Sequence, residues 1–310
     1  MTGADFDFIR KLLKQRSGLM LSADKQYLVE SRLMPVAQRN RIASLSELAA
    51  RLRAGIDEAL IAQVVEAMTT NETFFFRDRI PFEHFRTTIL PALMASRERY
   101  KRIRIWCAAA STGQEPYSLA MAIKEMGSAL DNFRIEIVAT DISHDVLAKA
   151  EAGIYSQFEV QRGLPIQLLL KYFTQHGDLW QIAPEIRAMV QYRPFNLLSD
   201  FSRLGVFDLV ICRNVLIYFD QPTKSDVLDR LARVVAPDGF LILGAAETTV
   251  GLTQAFKSVP DKRGLYAPAG PVADTVVRFP VKAWRPDLFL YRAPPRSREP
   301  RRQHDQRDRD

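Results

Sequence analysis

From Tyr100 onward, apolar runs of strand length alternate with helical stretches, and that alternation leaves few folds open. The strand-length runs are 103–107, 135–139, 207–212 and 240–243; the helical stretches are 116–126, 144–152 and 223–235. Strands that alternate with helices form a mostly parallel sheet with helices on both faces. These strands are short and mostly apolar, as suits a sheet buried on both sides. A late pair, 256–259 and 264–266, reads as a terminal hairpin.

Ahead of this region, residues 5–80 read as helices separated by short polar breaks. Phe6, Ile9, Leu12 and Leu13 share one face of an amphipathic first helix. Ser22 to Asp24 can cap a helix from Lys25 to about Asn40, Ser44 or Ser46 can start another, and 56–68 reads as a third. The expected organisation is a helical domain at 1–80, a main α/β domain at 81–267 and a Pro/Arg-rich tail at 268–310. With almost nothing to bury, the tail is expected to be disordered. One segment, about 155–193, breaks the alternation. A helical 164–173 is followed by strand-like 179–183 and 188–195, with Gly177 and Asp178 as a turn, which reads as a small antiparallel insertion.

Composition narrows the function. No apolar run reaches the ~20 residues of a membrane span, and the N-terminus lacks the basic start and apolar stretch of a signal peptide. Cys107 and Cys212 end apolar runs and read as reduced, packed thiols, so a cytoplasmic setting is expected. His84, His144, His176 and His304 show no ligand spacing, so no metal site is expected. The net charge is +7, and from Gly270 onward ten Arg and Lys stand against six Asp and Glu. Much of the basic excess therefore lies in the tail, which weakens a nucleic-acid reading of the folded part.

The ligand site is expected where the first strand runs through Ala108, Ala109, Ala110, Ser111, Thr112 and Gly113 into a helix carrying Pro116 in its first turn. Small residues at such a turn let a ligand approach the backbone, and the helix start offers free N–H groups. Glu115 would repel a pyrophosphate but suits a ligand bearing an ammonium and a sulfonium; it also suits simple capping. Asp141 ends the second strand, where an acid can hold the two ribose hydroxyls of an adenosine. The alternative is an N-cap, a role that Ser143 can fill. Three phenylalanines, 74–76, lie in a polar linker before the main domain; they either anchor it or carry it across the ligand pocket.

The segments NETFFFR, WCAAASTGQEPYSLAMAI, ATDIS, GIY, FNLL, FDLVICRNVLIYF and GAAETTVGL together resemble the chemotaxis receptor methyltransferase family, CheR, over roughly residues 5–267. The resemblance implies a seven-stranded, doubly wound methyltransferase domain that binds S-adenosylmethionine (product S-adenosylhomocysteine), with an N-terminal helical domain and a small β-subdomain. It implies that Asn71, Thr73, Arg77, Glu115, Asp141, Asn196, Leu197, Arg213 and Asn214 surround the cofactor. Gln114 stands where many relatives have a second acid, which lowers the expected charge near the methionine end.

The implied reaction is methyl transfer to glutamate carboxylates of chemoreceptors. The nucleophile is already ionised at neutral pH, since a free Glu titrates near pH 4.3, so alignment matters more than a base. Arg77 and Tyr218 are the candidates for holding the substrate carboxylate. Lys25, Arg32 and Arg39, spaced by seven, would line one face of a helix and dock the acidic methylation region of a receptor. Family members can also hold a receptor C-terminal peptide as an extra strand, here on 179–183 or 188–195. The turn at His176, Gly177 and Asp178 has one glycine where tethering members have more, so docking through the helix is the main expectation, by a monomer. Two other readings compete. A nucleic-acid methyltransferase would carry an aromatic-and-proline motif after the fourth strand, which instead ends RNVLIYF. A non-catalytic cofactor sensor would not need both Arg77 and Tyr218.

Overall fold

A computed structural model provides the fold and describes residues 1–270. The tail assigned to 268–310 falls outside the described residues from 271 on.

Helix α1 (Gly3–Ser17) begins at a reciprocal cap, in which Thr2 Oγ1 accepts from Asp5 N–H and Asp5 Oδ2 accepts from Thr2 N–H. It ends at Gly18, and Phe6, Ile9, Leu12 and Leu13 are all buried, as their spacing predicts. Helix α2 (Gln26–Arg39) starts one residue after Lys25. Ser22 does not cap it: the Ser22 hydroxyl donates to Asp24 within a 3-10 turn, Ala23–Lys25. Ser44 caps α3 (Leu45–Ala54) by accepting from Glu47 N–H, and Asp57 caps α4 (Glu58–Met68). Leu13, Leu33, Leu48 and Val64 sit at the fully buried centre of these four helices.

After a linker at 69–79, α5 (Ile80–His84) and α6 (Leu90–Ser96), joined by a π turn, lead into the main domain. There β1 (Arg102–Ala108), α7 (Gln114–Lys124), β2 (Arg134–Asp141) and α8 (His144–Ala152) follow in the expected order. A subdomain comes next: β3 (Ile154–Ser156), α9 (Gln157–Gln161), α10 (Ile166–Tyr172), β4 (Phe173–His176), β5 (Leu179–Ile182) and α11 (Pro184–Arg187). The chain returns through β6 (Val190–Pro194), β7 (Phe207–Cys212), α12 (Gln221–Val234) and β8 (Val235–Leu243), then closes with β9 (Phe256–Ser258) and β10 (Leu265–Pro268).

Among the described residues, seven strands form one sheet in the order β6-β2-β1-β7-β8-β10-β9. The first five in that order run parallel, and β10 is antiparallel to both β8 and β9. Strand order reverses between β1 and β7, which opens a crevice at their carboxyl ends.

Two expectations need correction. Strand β8 starts at Val235 rather than 240, because Phe207 pairs Val235 while Leu209 pairs Phe240; residues 236–239 form an irregularity within the strand. More importantly, 188–195 does not belong to the small antiparallel unit. Strand β6 lies parallel to β2, with Ile137 opposite Val190 and Asp141 opposite Pro194, and edges the main sheet. The small sheet is β3-β5-β4. Its central strand, β5, carries the 179–182 residues that were expected to offer a free edge, and both of its sides are already paired.

Candidate active site

The turn from β1 to α7 is tightly wound. Ala109 and Ser111 adopt left-handed backbone (φ 62° and 50°), as does Gly113 at 93°. Gly113 is also sterically required, since a Cβ there would lie 2.7 Å from the Tyr192 hydroxyl and 2.9 Å from Ala150 Cβ. Ala110 N–H donates to Thr140 O at 2.8 Å and Ser111 N–H to Asp141 Oδ2 at 2.8 Å, so the turn is laced to the end of β2. Tyr155, from the small sheet, supports it from behind through a 2.8 Å bond to Thr112 O.

Asp141 is buried and takes amide N–H groups from both Ser111 and Ser143. Ser143, not Asp141, caps α8. Burial pushes the Asp141 carboxyl above its usual range, opposed by those amides. Glu115 makes no helix cap. Its Oε2 accepts from Arg213 Nη1 at 2.6 Å, and burial raises its carboxyl too, with Arg213 pulling the other way. Arg213 is only 5% exposed and links three segments: Glu115 on α7, Asp78 at 2.6 Å and the Arg77 carbonyl at 3.0 Å. A buried guanidinium needs such partners to remain charged without a large penalty.

The linker does both things that its phenylalanines suggested. Phe75 packs edge-on against Tyr155 and Phe173, and Phe76 against Phe82. The same segment crosses the crevice, where Asn71, Thr73 and Arg77 face one pocket with Glu115, Asp141, Asn196, Leu197, Arg213, Asn214 and Tyr218. Ser111 Oγ donates to Asn71 O at 2.8 Å, which pins the linker to the turn. Arg77 reaches the Glu72 carbonyl at 2.8 Å and lies over the Phe74 ring. Asn196 ties α1 to this wall by donating to Arg16 O at 2.6 Å. Tyr218 is half-buried, and its hydroxyl has no hydrogen-bond partner among the described residues.

All nine residues expected at the cofactor thus converge with Tyr218. The acids Glu72, Glu115 and Asp141, apolar walls from Ile142, Phe195, Leu197 and Val215, and a close-approach turn fit a cationic adenosine derivative. Gln114 behaves otherwise than expected. It is 1% exposed, accepts from Thr112 Oγ1 at 2.8 Å behind the turn, and does not line the pocket, so it does not set the charge there.

The basic helix face also changes. Lys25 precedes α2 and sits beside Asp24 and the Tyr27 ring. Arg32 donates to the Met68 and Thr69 carbonyls, both at 2.9 Å, and to Thr70 Oγ1, so it holds the start of the linker. Arg39 stands exposed at the end of α2. Sequence reasoning missed Asp78, Ser17 and Leu19, which join the site only through folding. It also missed Glu247, a lone acid after the fifth parallel strand, which lay in view within GAAETTVGL.

Residues 71–265 match the model of the CheR methyltransferase, SAM binding domain, and residues 4–69 match that of the CheR methyltransferase, all-alpha domain. The chain is 42% identical over 265 residues to chemotaxis protein methyltransferase Cher2 of Pseudomonas putida, covering 84% of this chain and 96% of that protein. It is 43% identical over 269 residues to chemotaxis protein methyltransferase 1 of Pseudomonas aeruginosa, with the same coverage. The chemotaxis protein methyltransferase of Borreliella burgdorferi is 34% identical over 246 residues, covering 78% of this chain and 87% of that one. The cofactor is S-adenosylmethionine. With both of its domains matched in order and the pocket assembled between them, the chain belongs to the CheR methyltransferase family.

Proposed function

We propose that this chain methylates glutamate side chains of chemoreceptors in chemotactic adaptation, as a monomer that works from the cytoplasm. The observation that carries this reading is that Tyr218 and Arg77 line one pocket with Glu115 and Asp141. Bound S-adenosylmethionine supplies an electrophilic methyl group on a sulfonium. Asp141 and Asn71 would hold its ribose and Glu115 its ammonium end, with Leu197 against the base.

The chain's own task is alignment. Arg77 and Tyr218 offer three donors to one carboxylate, which orients the attacking oxygen without a proton being removed. That oxygen forms the O–CH₃ bond as the S–CH₃ bond breaks with its electron pair. Opposite charges cancel, and the products are an ester and a neutral thioether. Orientation of this kind can contribute roughly 7–11 kcal/mol. Lys25 and Arg39 supply the attraction for an acidic receptor helix.

Membranes bearing chemoreceptors, incubated with the chain and methyl-labelled cofactor, test the reading. Base-labile label on the receptors is expected, and Tyr218→Phe is expected to slow it about tenfold with cofactor affinity kept, the equivalent of about 1.4 kcal/mol in the barrier. Label on nucleic acid instead, or a full rate in Tyr218→Phe, refutes it.

A further inference from the structure

Just past β8, the Glu247 carboxylate collects four backbone amides. Its Oε2 accepts from Gly244 N–H at 2.7 Å and Asn214 N–H at 2.8 Å; its Oε1 accepts from Val215 N–H at 3.0 Å and Ile217 N–H at 3.2 Å. Three of these donors belong to the turn that leaves β7. That turn starts with Asn214 in left-handed backbone (φ 58°) and closes as a 3-10 turn, Leu216–Tyr218. A conformation of this kind points successive N–H groups inward, toward one anion. Without the carboxylate, the amides of 214, 215 and 217 lose the partner that holds them.

The turn carries Asn214 and Tyr218 into the pocket. Its far end is fixed separately, by Met20 N–H donating to Tyr218 O at 2.8 Å. Glu247 itself does not line the pocket; it reaches the site through the turn it holds, and its charge adds a smaller upward push on the Glu115 carboxyl.

We propose that Glu247 is a positioning residue for methyl transfer: by clamping the 214–217 amides to the end of β8, it sets where Tyr218 presents its hydroxyl to the substrate carboxylate. The inference rests on the proposed reaction for its kinetic consequence, and on geometry alone for the clamp. Gly244 belongs to the same device, because a Cβ there would lie 2.7 Å from Glu247 Oε2 and 3.0 Å from Asn214 N.

Glu247→Gln keeps the shape but turns an amide NH₂ toward backbone donors. Hydrogen exchange on the full chain should then show the 214, 215, 217 and 244 amides losing at least about tenfold protection, with the melting temperature nearly unchanged. At saturating cofactor, kcat should fall by up to about tenfold, no further than loss of the Tyr218 hydroxyl itself takes it. In a Tyr218→Phe background the same substitution should cost less than about threefold, since it acts through the missing hydroxyl. Native protection in Glu247→Gln overturns the clamp. Native kcat, or full losses that multiply in the double variant, overturns the positioning role. Should Glu247→Gln fail to fold, Gly244→Ala retains the carboxylate and is read by the same exchange and the same cycle. A wild-type chain that labels no receptor refutes the proposed reaction, while the exchange result still decides the clamp.

Discussion

Asp141 and Glu115 show how one residue type gains a role from its surroundings. Both are carboxyls whose titration burial drives upward, and both face the cofactor pocket. Asp141→Ala is expected to weaken S-adenosylhomocysteine binding about tenfold or more, since each lost hydrogen bond is worth about 0.5–3 kcal/mol. Calorimetry reads this directly, and unchanged affinity removes Asp141 from the ribose. The upward shifts also fix the sign of a pH effect. These acids take up protons at a higher pH than ordinary carboxyls, so cofactor affinity should begin to decline on acidification before the surface carboxylates are protonated. The fold responds in the opposite sense. The native state binds these protons more tightly than the unfolded chain, so protonating them does not itself destabilise it. Asp141 and Glu115 were legible as single letters at the ends of motifs. Glu247 and Asp78 were not, because an acid in a loop says nothing about which distant amides or guanidinium it meets.

Among the elements, the linker depends most on its own packing. Phe75 is fully buried between Tyr155 and Phe173, and it holds a segment with little regular structure. Phe75→Ala should cost about 3–5 kcal/mol, visible in thermal melts, and should lower cofactor affinity because Asn71 and Thr73 lose their anchor. Helix α12 gives a pH test with the other sign. Its cap, Asp220, pairs with Lys14 of α1 at 2.6 Å and also accepts from Thr223 N–H. Lys14, then Thr223, lower its carboxyl to about 2. The stabilisation is therefore present above the ordinary value of 3.8 and is lost as pH falls through about 2. Melts of wild type and Asp220→Asn should differ at pH 6 by about 1 kcal/mol or less, and converge near pH 2.

For the molecule as a whole, contacts between the helical and α/β parts decide what a surface charge can do. Asn196 bonds the Arg16 carbonyl, Met20 bonds Tyr218, and Glu66 on α4 accepts from His144 N–H at the start of α8. Arg32 belongs to this set. Arg39→Glu should therefore raise the receptor KM several-fold without touching cofactor affinity, whereas Arg32→Glu should weaken both, because the linker start loses its clamp. Equal, receptor-only effects of the two substitutions would return Arg32 to a docking face. Titration with receptor C-terminal peptides should give no micromolar binding; binding that depends on residues 176–178 would show a tether added to β3 or β4, the outer strands of the small sheet.

Local pattern determined which stretches became strands and helices, since burial on both faces leaves apolar runs and one buried face leaves a 3.6-residue spacing. Strand β7 and helix α8 fall on the residues read for them, 207–212 and 144–152, and the residues that line the pocket belong to a motif string spread over the linker and the turns that follow strands. Pairing was another matter. Strand β6 sets buried Val190 and half-buried Tyr192 against exposed Gln191 and Arg193, a pattern that suits either sheet, and only the return of the chain beside β2 gave it to the larger one. Arg32 and Glu247 acquired their roles from carbonyls and amides on other segments. Such hydrogen bonds are fixed by where folding places two pieces of chain, and sequence spacing carries no record of that distance.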